Sequence, residues 1–450
     1  MAMEEGGGGG GAHGGMIRLQ CQVQHYEWGR IGEESEVGRL HALMTGSAVD
    51  ADVPYAELWM GTHASGPSTV LRRGGAGQIL LKDWLQRHPE ALGDRVLERW
   101  NGDLPFLFKV LSVAKALSIQ AHPDKKLAEY LHGKNPQVYK DANHKPELAL
   151  ALTRFGALCG FVTSQELQAA LESVPELRDA LGPLVVESVI RSGCGQSAKD
   201  VLRRAFTCLM TLDESVVTHT LSNLIDRLKR KSKAAGGLSP KEELVVSLEK
   251  QYPGDVGVLS AFFLNYTNLE AGQAVFLDAN EPHAYLYGEC VECMATSDNV
   301  VRAGLTPKFR DTQTLCSMLS YNQGPPQILD GCYVNPFTRR YSPPSDEFEV
   351  DHICVPVGGT AKISSPCGPS IFLVYRGMGV LSRVGKEDEA NSIIAGLVRG
   401  NIFMLVAGTE LEVSAVMDVE ESYGDGEHPV QDALQLYRAG VSSRLLHQAV

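Results

Sequence analysis

The sequence predicts a mainly β protein with a helical segment inserted into it, and three successive stretches of the chain support this prediction. Short alternating and apolar runs broken by turns fill residues 16 to about 161. Apolar residues then recur at helical spacing from 163 to about 252, and β character returns at Val256. Because 450 residues can bury a sizeable core, two or three domains are expected.

The first region carries strand and helix patterns in a definite order. Residues 17–23 alternate between apolar and polar, as a half-buried strand does. Residues 106–113 form a denser apolar run, which is typical of a strand near the centre of a sheet. Between them, residues 81–85 and 90–97 are predicted to be helical. The region is therefore expected to form a sheet with a few helices in its connections.

Two signatures of helix starts mark the inserted segment. Thr163 with Glu166 forms a capping box, in which each side chain can bond the backbone N–H of the other residue. Ser239 with Glu242 forms a second capping box, and Pro240 between them suits the first position of a helix. We therefore expect helices to begin at both points.

A turn, an apolar strand and a second turn occur twice in the remaining β region. The first copy, residues 271–283, ends in a polar bend at His283, whereas residues 396–409 have the same rhythm without a final histidine. The repetition suggests two related β-barrels, of which only the first carries a site. The predicted domains are a disordered Gly-rich tail (1–15), a first catalytic part (16–162), the helical insertion (163–255), a second catalytic part (256–325) and a C-terminal β-barrel without a metal site (326–450).

Composition and charge narrow the classes of function. The formal net charge of −13 argues against a general nucleic-acid binder, although an acidic protein can still hold a basic pocket for a phosphorylated metabolite. No run approaches about eighteen apolar residues, and the N-terminus resembles neither a secretory signal nor a transit peptide. The ten cysteines are scattered, and Cys290 and Cys293 are interpreted as buried thiols on a strand. A reduced, cytoplasmic protein without a membrane partner is expected.

Three short segments contain residues that could bind a metal. Gln120 and His122 lie two residues apart, so on a strand both side chains face the same side and can reach one ion. Pro123 favours an extended backbone at His122. A Gln-x-His pair alone is more often structural, but Glu147 at the mouth of an apolar strand needs a partner, because an unpaired buried charge is costly. A metal ion or an arginine would satisfy that carboxylate.

The third segment contributes His283 at the end of the polar bend, and Asp298 and Arg302 follow it closely. One amide oxygen, two imidazoles and one carboxylate suit a divalent metal of borderline softness, with zinc the leading candidate. His283 alone could be a histidine of a surface turn. The metal site therefore depends on a fold that brings the three distant segments together.

The same segments resemble those of type I phosphomannose isomerases, also called mannose-6-phosphate isomerases. The resemblance rests on residues 118–125, 144–150, 280–285 and 297–308, with further support from residues 24–29, 55–63 and 104–110. It extends over nearly the whole chain after the Gly-rich tail. The family implies a cupin fold, in which two jelly-roll-type β-barrels accompany a helical domain inserted between strands of the first barrel.

The resemblance implies one zinc ion per chain and a set of residues for it. By motif match, the zinc ligands fall on Gln120, His122, Glu147 and His283. The arginine associated with catalysis in the family falls on Arg302. The implied reaction interconverts mannose 6-phosphate and fructose 6-phosphate by opening the sugar ring and moving a proton between C1 and C2 through an enediol. Zinc can act there as a Lewis acid, and Arg302 can hold the enediolate oxygens or orient the substrate.

The sequence leaves the base open. The candidates by position are His144, Lys145, Glu292 and Asp298. The two carboxylates among them could instead pair with Arg302 and hold it in place. The residues assigned to the substrate and its phosphate, by position and by similarity to the family, are Ser118, Lys109, Lys308 and Tyr285. Lys308 could also be an ordinary surface lysine.

Two other functions compete with the isomerase. An iron-dependent cupin oxygenase would normally use a facial triad with open positions, and the predicted amide ligand and phosphate-binding lysines would have no purpose there. A non-catalytic sugar-phosphate sensor would need none of the catalytic residues, all of which the motifs retain. We therefore expect a monomeric isomerase that feeds mannose into GDP-mannose synthesis, with no nucleic-acid or membrane partner.

Overall fold

The computed structural model describes residues 14–71, 78–192, 196–234, 236–385, 392–417 and 433–447. All but the last two residues of the predicted tail lie outside the described residues. The chain divides into two compact units. The first unit comprises residues 1–112, 291–296 and 330–450, and the second comprises residues 113–290 and 297–329. No described helix is both long and apolar enough to span a bilayer.

The β-strands lie before and after the inserted helical stretch. The earlier strands are β1 (Met16–Gln20), β2 (Gln22–Gln24), β3 (Arg30–Ile31), β4 (Pro54–Tyr55), β5 (Glu57–Met60), β6 (Thr69–Val70), β7 (Ile79–Leu80), β8 (Phe106–Val113), β9 (Ile119–Ala121), β10 (Glu147–Ala151), β11 (Phe155–Phe161), β12 (Leu264–Leu269), β13 (Ala274–Leu277), β14 (His283–Ala295), β15 (Val301–Gly304) and β16 (Ile328–Leu329). The later strands are β17 (Cys332–Asn335), β18 (Thr338–Tyr341), β19 (Glu349–Val355), β20 (Thr360–Ser364), β21 (Ser370–Arg376), β22 (Met378–Arg383), β23 (Ile393–Leu397), β24 (Ile402–Leu405), β25 (Glu410–Val416) and β26 (Leu434–Gly440).

The α-helices concentrate between β11 and β12. The helices, in chain order, are α1 (Glu36–Thr45), α2 (Leu81–Arg87), α3 (Asp94–Trp100), α4 (Lys125–Lys134), α5 (Ser164–Ser173), α6 (Pro175–Leu181), α7 (Pro183–Ile190), α8 (Gln196–Met210), α9 (Glu214–Lys231), α10 (Pro240–Gln251), α11 (Val256–Ser260) and α12 (Thr312–Met318).

Most strands of the first unit belong to two antiparallel sheets that share a core. The larger sheet has the order β17-β18-β19-β26-β21-β24-β1-β6-β7, and the smaller has the order β20-β25-β22-β23. Phe372 on β21 and Phe403 on β24 are directly paired, and their rings stack with centroids 5.0 Å apart. They are buried together with Leu381 and Val413 of the smaller sheet, which gives the layered packing of a β-sandwich.

Two strand predictions for the N-terminal region have different outcomes. The apolar run at 106–113 forms β8, and all eight of its residues are buried, as predicted. The single strand predicted at 17–23 is wrong, because β1 pairs with β24 and β6 whereas β2 pairs with β5. Cys21 between them is buried, with its Sγ atom 3.2 Å from the Oγ atom of Ser68. The chain therefore changes sheets at a packed residue, which alternation of polarity does not reveal.

The two helices predicted at 81–85 and 90–97 are present with different bounds. The first extends to Arg87 as α2, whereas α3 begins only at Asp94. A 3-10 turn at Pro89–Ala91 and a left-handed glycine, Gly93 with φ 75°, precede α3. The late start follows because a glycine with positive φ interrupts a right-handed helix.

In the second unit, the inserted helices lie between two strands that pair with each other. The chain leaves the sheet at the end of β11, forms α5 to α11 and returns as β12, which is antiparallel to β11. Both predicted capping boxes are confirmed: Thr163 with Glu166 begins α5, and Ser239 with Glu242 begins α10. The helices are thus started by local sequence and inserted at a strand-to-strand connection.

Aromatic side chains join the inserted helices to the strands of the second unit. Phe206 on α8 contacts Phe161 at the end of β11, with ring centroids 5.1 Å apart, and Phe263 before β12, with centroids 5.7 Å apart. All three side chains are fully buried in one apolar cluster. Burying a phenylalanine contributes about 1.5–3 kcal/mol, so this cluster is a major source of the stability of the second unit.

The Cys-x-x-Cys pair holds two buried thiols, as predicted. Cys290 and Cys293 both lie in β14, are fully buried and form no disulfide. Burial, with a smaller contribution from the charge of Glu292, raises the pKa of Cys293 well above its ordinary value. A thiol held in its protonated form is a weak nucleophile, so a redox or metal-binding role for Cys293 is disfavoured.

Candidate metal centre

The short strand β9 organises the candidate site, because a neighbouring strand pairs with it on each side. Gln120 lies opposite His283 of β14 on one side and opposite Arg302 of β15 on the other. Residues directly opposite in an antiparallel pair point to the same face of the sheet. His122 follows Gln120 by two residues, so alternation directs its side chain to that face as well. The ladder thus aligns two imidazoles, an amide and a guanidinium that are distant in sequence.

Glu147 at the first position of β10 completes a compact group with the two histidines. Its Oε1 atom lies 3.3 Å from His122 Nε2, and its Oε2 atom lies 3.6 Å from His283 Nε2. The side chains of all three residues are 1% exposed. The ring centroids of the two histidines are 5.0 Å apart. The structure therefore brings together three of the four predicted metal ligands in a dry interior.

A backbone carbonyl orients each imidazole. His122 Nδ1 lies 2.7 Å from the carbonyl oxygen of Asn299, and His283 Nδ1 lies 3.0 Å from that of Glu281. A carbonyl oxygen only accepts, so Nδ1 carries the proton in both rings and Nε2 keeps a lone pair. Among the described residues, neither Nε2 atom has a hydrogen-bond partner. Both nitrogens face the Glu147 carboxylate, which is itself an acceptor, so a cation between them would satisfy all three groups.

The electrostatics of the group favour the protonation states that a metal requires. Burial lowers the pKa of His122 to about 4, against the opposing effect of the Glu147 charge. Burial alone would raise the pKa of the Glu147 carboxyl, but Lys145 and the two histidines outweigh it and hold that pKa well below its usual range. At neutral pH His122 is therefore uncharged and Glu147 is ionised, and metal binding would displace no proton from either residue.

The donor set fits a divalent metal ion. The candidate ligand atoms of His122, Glu147 and His283 all lie within 4.8 Å of one another. Two imidazole nitrogens and one carboxylate oxygen form a set that zinc binds in many enzymes, with a further position left for another ligand. The buried Nε2 atoms of His122 and His283 have no hydrogen-bond partner among the described residues, which is costly unless a cation joins them to the Glu147 carboxylate.

Gln120 stands at the edge of this group. Its side chain is half-buried, and its Oε1 atom accepts a hydrogen bond of 3.3 Å from the hydroxyl of Ser118. Ser118 lies just before β9, two residues from Gln120, and the hydrogen bond shows that the two side chains meet. The amide oxygen is thus oriented by a predicted substrate-binding residue, on the face that carries His283 and Arg302.

The polar bend before His283 is anchored to the strand that carries His122. Asn280 adopts a left-handed backbone with φ 64°, a conformation that asparagine tolerates better than most residues. Its backbone N–H donates to the carbonyl of His122 at 2.7 Å, and its side-chain nitrogen donates to Asp124 at 3.0 Å. The bend therefore holds the start of β14, which carries His283, close to His122.

The four catalytic candidates in the second unit occupy different surroundings. Lys145 is buried, and its ammonium lies 2.7 Å from Glu147 Oε1. His144, the preceding residue, is half-buried. Asp298 is exposed, and its backbone N–H donates to Asp141 at 2.6 Å. Arg302 is half-buried, and burial lowers the pKa of its guanidinium.

Arg302 is not held by a carboxylate in the described part of the chain. Its guanidinium forms no ion pair or hydrogen bond with any described residue, so the suggested pairing with Asp298 or Glu292 is wrong. The donors of Arg302 are therefore available to a ligand. Its charge is retained despite the lowered pKa, because a guanidinium titrates far above neutral pH.

Lys109 and Glu292 form a buried charge cluster within the first unit. The ammonium of Lys109 lies 2.9 Å from Glu292 and 3.2 Å from Glu57, and all three side chains are less than 10% exposed. Trp59 donates from Nε1 to Glu57 at 2.5 Å, and its ring lies under Lys109 at 5.0 Å. The predicted phosphate ligand Lys109 is thus already bound to two carboxylates, and Glu292 is bound to Lys109.

The remaining predicted substrate residues are placed in the second unit. Tyr285 is buried, and its hydroxyl donates to Glu147 Oε2 at 3.5 Å. Ser118 is half-buried and contacts Gln120, as described above. Lys308 is exposed, and its backbone N–H donates to the side chain of Thr306. Tyr285 thus contacts the metal group through Glu147, and Ser118 contacts the predicted ligand Gln120. Within the described part of the chain, Lys308 bonds neither Glu147 nor Gln120.

Sequence reasoning missed several residues that contact the site. Asp141 and Asn299 connect two loops around His122, across 158 positions of sequence. Glu57 and Trp59 surround Lys109. Trp59 and Asn299 lie inside the motif segments 55–63 and 297–308, but nothing in the sequence indicates their partners. Asp141 carries no motif signal, because an Asp in a polar loop is usually solvated.

Comparison with known proteins identifies the relatives of this chain. The catalytic domain of type I phosphomannose isomerases matches residues 16–164, and the helical insertion domain of that family matches residues 185–264. Mannose-6-phosphate isomerase 2 of Arabidopsis thaliana is 49% identical over 435 residues, which cover 95% of this chain and 94% of that protein. The human mannose-6-phosphate isomerase is 44% identical over 375 residues, which cover 81% of this chain and 88% of that protein.

Solved structures support the same relationship at the level of the fold. A zinc-bound mannose 6-phosphate isomerase superposes with a TM-score of 0.78 at 27% identity, covering 95% of this chain and all of that chain. A site-directed variant of phosphomannose isomerase from Salmonella typhimurium gives the same TM-score, identity and coverage. The predicted fold class, mainly β of the cupin type with inserted helices, is therefore confirmed.

Proposed function

Because this chain belongs to the type I phosphomannose isomerase family, we propose that it interconverts D-mannose 6-phosphate and D-fructose 6-phosphate with one zinc ion per chain. The observation that carries the proposal is the buried His122–Glu147–His283 group, in which two imidazole lone pairs face a carboxylate. An aldose–ketose isomerase needs a cation where negative charge develops on the sugar oxygens, and this group supplies a place for one.

We propose that Nε2 of His122, Nε2 of His283, a carboxylate oxygen of Glu147 and the amide oxygen of Gln120 hold the zinc ion. The first three are supported by their mutual approach within 4.8 Å, and Gln120 by its pairing with His283. Bound there, zinc would supply Lewis acidity toward the O1 and O2 oxygens of the open-chain sugar. Lys145 contacts Glu147 at 2.7 Å, so its ammonium would help to hold that carboxylate ionised as a metal ligand.

Arg302 is proposed to stabilise the charge that develops on the sugar oxygens. The guanidinium is planar, remains charged at neutral pH and presents several donors in a fixed fork. Its position opposite Gln120 directs it to the face that carries the metal group, and no described residue occupies its donors. A preorganised cation whose contacts strengthen only as the enediolate forms stabilises the transition state more than the bound substrate. It therefore lowers the activation barrier instead of only tightening substrate binding.

We propose that Lys145 moves the proton between C1 and C2. In the forward direction a base removes the proton from C2, the enediol forms, and the same group returns a proton to C1. Lys145 is supported by its burial beside Glu147; its ammonium must first release a proton to water, because only the neutral amine can accept the proton from C2. His144 is its half-buried neighbour and the second candidate. Glu292 is bound to Lys109, and Asp298 is exposed, so both are disfavoured as the base.

The phosphate of the substrate is proposed to bind through Ser118 and Lys308, with Tyr285 orienting the sugar end. Ser118 is supported by its hydroxyl beside Gln120, and Tyr285 by its hydroxyl beside Glu147. Lys308 is an exposed cation that is six residues beyond Arg302, and a flexible lysine can reach a phosphate as a point charge. Lys109 is a weaker proposal, because its ammonium already neutralises two buried carboxylates.

We also propose a cellular location, an oligomeric state and a domain organisation for the protein. We infer that the protein acts as a cytoplasmic monomer, supplies mannose for GDP-mannose synthesis and binds no nucleic acid; the net charge of −13 supports the last point. The proposed domains are the tail (1–15), a catalytic domain split into 16–162 and 256–325, the helical insertion (163–255) and a C-terminal β-barrel without a metal (326–450).

A coupled assay tests the proposed function. Conversion of mannose 6-phosphate to fructose 6-phosphate by the full chain would be followed with and without a chelator, with glucose 6-phosphate as the control substrate. We expect turnover of the mannose compound alone, and its loss with the chelator. A folded, zinc-loaded protein that binds mannose 6-phosphate without turnover would contradict the proposal in favour of the sensor.

An iron-dependent oxygenase is the second candidate, because two histidines and one carboxylate are also the ligands of many non-haem iron sites. Metal analysis of the purified protein separates the two functions. We expect zinc at one equivalent per chain, together with isomerase turnover in the absence of oxygen. Iron as the dominant metal, with oxygen consumption, would contradict the isomerase.

A further inference from the structure

We propose that Asp141 is a positioning residue that holds His122 and the two loops around the metal group in their working geometry. The inference rests on the proposed function, since it concerns the metal ligands named there. Asp141 lies in the loop that precedes β10, and it is half-buried. No motif in the sequence marks it, and it does not touch the candidate ligand atoms themselves.

The carboxylate of Asp141 accepts hydrogen bonds from a second loop on both of its oxygens. Its Oδ1 atom accepts from the hydroxyl of Ser297 at 2.9 Å and from the side-chain nitrogen of Asn299 at 3.3 Å. Its Oδ2 atom accepts from the backbone N–H of Asp298 at 2.6 Å. Three consecutive residues of one loop therefore converge on one carboxylate, which fixes the conformation of that loop.

The backbone of the Asp141 loop takes part in the same network. The side-chain nitrogen of Asn299 also donates to the carbonyls of Asp141 at 2.7 Å and of Asn143 at 2.9 Å. The hydroxyl of Ser297 donates to the carbonyl of Asn143 at 3.1 Å. Asn299 is 1% exposed, so these bonds form away from water, where their loss is costly. The two loops are thus bonded along their length.

Asn299 transmits this network to a metal ligand. Its carbonyl oxygen accepts from Nδ1 of His122 at 2.7 Å, and this contact determines which nitrogen of His122 faces Glu147. A shift of Asn299 would rotate the imidazole or release its proton to the other nitrogen. Asp141 therefore acts on His122 through Asn299, in the manner of the outer partners that orient metal-bound histidines in other proteins.

The two bonded loops also carry the other groups of the proposed mechanism. His144, Lys145 and Glu147 follow Asp141 within six residues, and Arg302 follows Asn299 within three. The bonds between the two loops therefore set the distance from His144 and Lys145 to the guanidinium of Arg302. Asp141 accepts hydrogen bonds from all three residues of the 297–299 loop, so one substitution there should disturb both parts of the site.

Asp141→Asn tests the proposal with little change of shape. An amide retains one acceptor oxygen, and its NH2 group would meet either the backbone N–H of Asp298 or the donors of Ser297 and Asn299. Two donors facing each other repel, so the 297–299 loop must move. A protein that uses this loop to orient His122 then binds metal less tightly, whether or not the substrate is present.

The measurement is the affinity of the chelated full-length protein for Co²⁺ alone, read from the visible absorption of the bound ion. We expect Asp141→Asn to weaken Co²⁺ binding by about 10- to 100-fold and to change the absorption band, as outer partners of metal ligands do elsewhere. The spectrum is informative because a merely structural loss of stability would leave the band of the folded, metal-loaded fraction unchanged.

Asp311→Asn is the matched control. Asp311 is in the same unit and is also half-buried, and its carboxylate accepts from the backbone N–H and hydroxyl of Thr314 and from the hydroxyl of Tyr139 at 2.7–3.0 Å. It carries a similar hydrogen-bond load and holds the same loop through Tyr139, but it bonds neither Asn299 nor His122. We expect Co²⁺ affinity and spectrum to match the unsubstituted protein. Equal weakening in both variants would overturn the proposal, and so would unchanged binding by Asp141→Asn.

Ser297→Ala decides the matter if Asp141→Asn does not fold. It removes one of the donors to Asp141 and leaves the carboxylate in place. We expect weaker Co²⁺ binding, by about threefold or more, with a shifted band. Unchanged affinity and spectrum in that variant would overturn the proposal.

Failure of the proposed function would look different. An unsubstituted protein that binds Co²⁺ or zinc but does not isomerise mannose 6-phosphate contradicts the function and leaves the role of Asp141 open to the same spectral test. An active unsubstituted protein whose Asp141→Asn variant binds Co²⁺ normally contradicts the positioning role alone.

Discussion

Gln120 on β9 lies directly opposite Arg302 on β15, so an amide and a guanidinium project from adjacent strands onto one face of the sheet. His283 lies opposite Gln120 on the other side. The separation of these three groups is therefore set by a hydrogen-bonded ladder rather than by loops. Because a slip of one residue in register reverses every side chain, this pairing holds the proposed metal ligand Gln120 and the proposed catalytic cation Arg302 on one face.

His283→Ala should remove metal binding and activity together. The imidazole is buried, and its Nε2 faces Glu147 at 3.6 Å, so truncation removes one proposed ligand and leaves the carboxylate with one histidine. We expect zinc affinity to fall by about 100-fold or more, beyond the effect of an outer partner, with loss of turnover. Zinc content after dialysis and turnover measure the two effects.

The control for that variant is His132→Ala. His132 makes the same kind of bond as His283, from Nδ1 to a backbone carbonyl at 2.7 Å, and lies outside the metal group. We expect it to retain zinc and turnover. Full zinc occupancy in His283→Ala would remove that histidine from the ligand set.

Arg302→Ala should leave zinc bound while slowing the reaction. No described residue holds the guanidinium, so its removal breaks no ion pair and little stability should be lost. We expect kcat to fall by about 100- to 1000-fold, the range seen when a group that stabilises developing charge is removed. Zinc content and kcat measured on one sample make the comparison.

Arg310→Ala serves as the control for Arg302, because it removes an exposed arginine from the following segment. Its kcat should equal that of the unsubstituted protein. A near-normal rate in Arg302→Ala would assign that residue a structural role instead.

Lys109→Met should destabilise the first unit strongly. The substitution leaves Glu57 and Glu292 buried without their shared cation, and breaking a buried charge cluster costs about 3–5 kcal/mol. Lys82→Met is the matched control, since Lys82 pairs with Asp103 at 2.7 Å with its side chain 49% exposed. We expect at most about 1 kcal/mol there. Urea unfolding of both variants gives the two values, and equal losses would mean that the Lys109 cluster is not buried in solution.

His352 should make the first unit sensitive to acid. Burial, helped by the charge of Arg339, lowers the pKa of His352 to about 4 from its ordinary value of 6.5. Between pH 6.5 and 4 the unfolded chain therefore binds a proton that the folded chain does not. The contribution of His352 to the free energy of unfolding is complete above pH 6.5 and falls by up to about 3 kcal/mol as the pH drops to 4.

His352→Phe isolates this effect. A phenyl ring retains the stacking on Tyr437, where the two ring centroids are 4.7 Å apart, but it cannot be protonated. We expect the free energy of unfolding of the chelated protein to decline less steeply with falling pH in the variant. The difference in slope should correspond to about one fewer proton taken up on unfolding. Parallel pH dependences in the two proteins would show that His352 titrates normally in the folded state.

The residues of the proposed metal site were predictable because each lies in a compact motif that is specified by its nearest neighbours in sequence. Gln120 and His122 share a strand face by simple alternation, and His283 ends a polar bend that the structure retains. The helix starts at Thr163 and Ser239 follow from side chains three residues away. Such features depend on the nearest few residues, so a sequence contains most of the information that specifies them.

The partners of the site residues were not predictable, because they depend on long-range pairing. Asp141 meets the 297–299 loop, and Lys109 meets Glu292 across 183 positions, only after the strands have paired. For the same reason, the change of sheet at Cys21 was missed, since one alternating run can serve two different neighbours. Register and loop contacts are tertiary properties, and hydrophobic periodicity does not encode them.

The most direct test of the account is a zinc titration of the chelated, full-length protein with mannose 6-phosphate turnover as the readout. If His122, Glu147 and His283 form a single zinc site, we expect no turnover before zinc is added. Turnover should then rise linearly with added zinc and level off at one equivalent per chain. Turnover by the metal-free protein, or a break at two equivalents, would contradict a single catalytic zinc at this site.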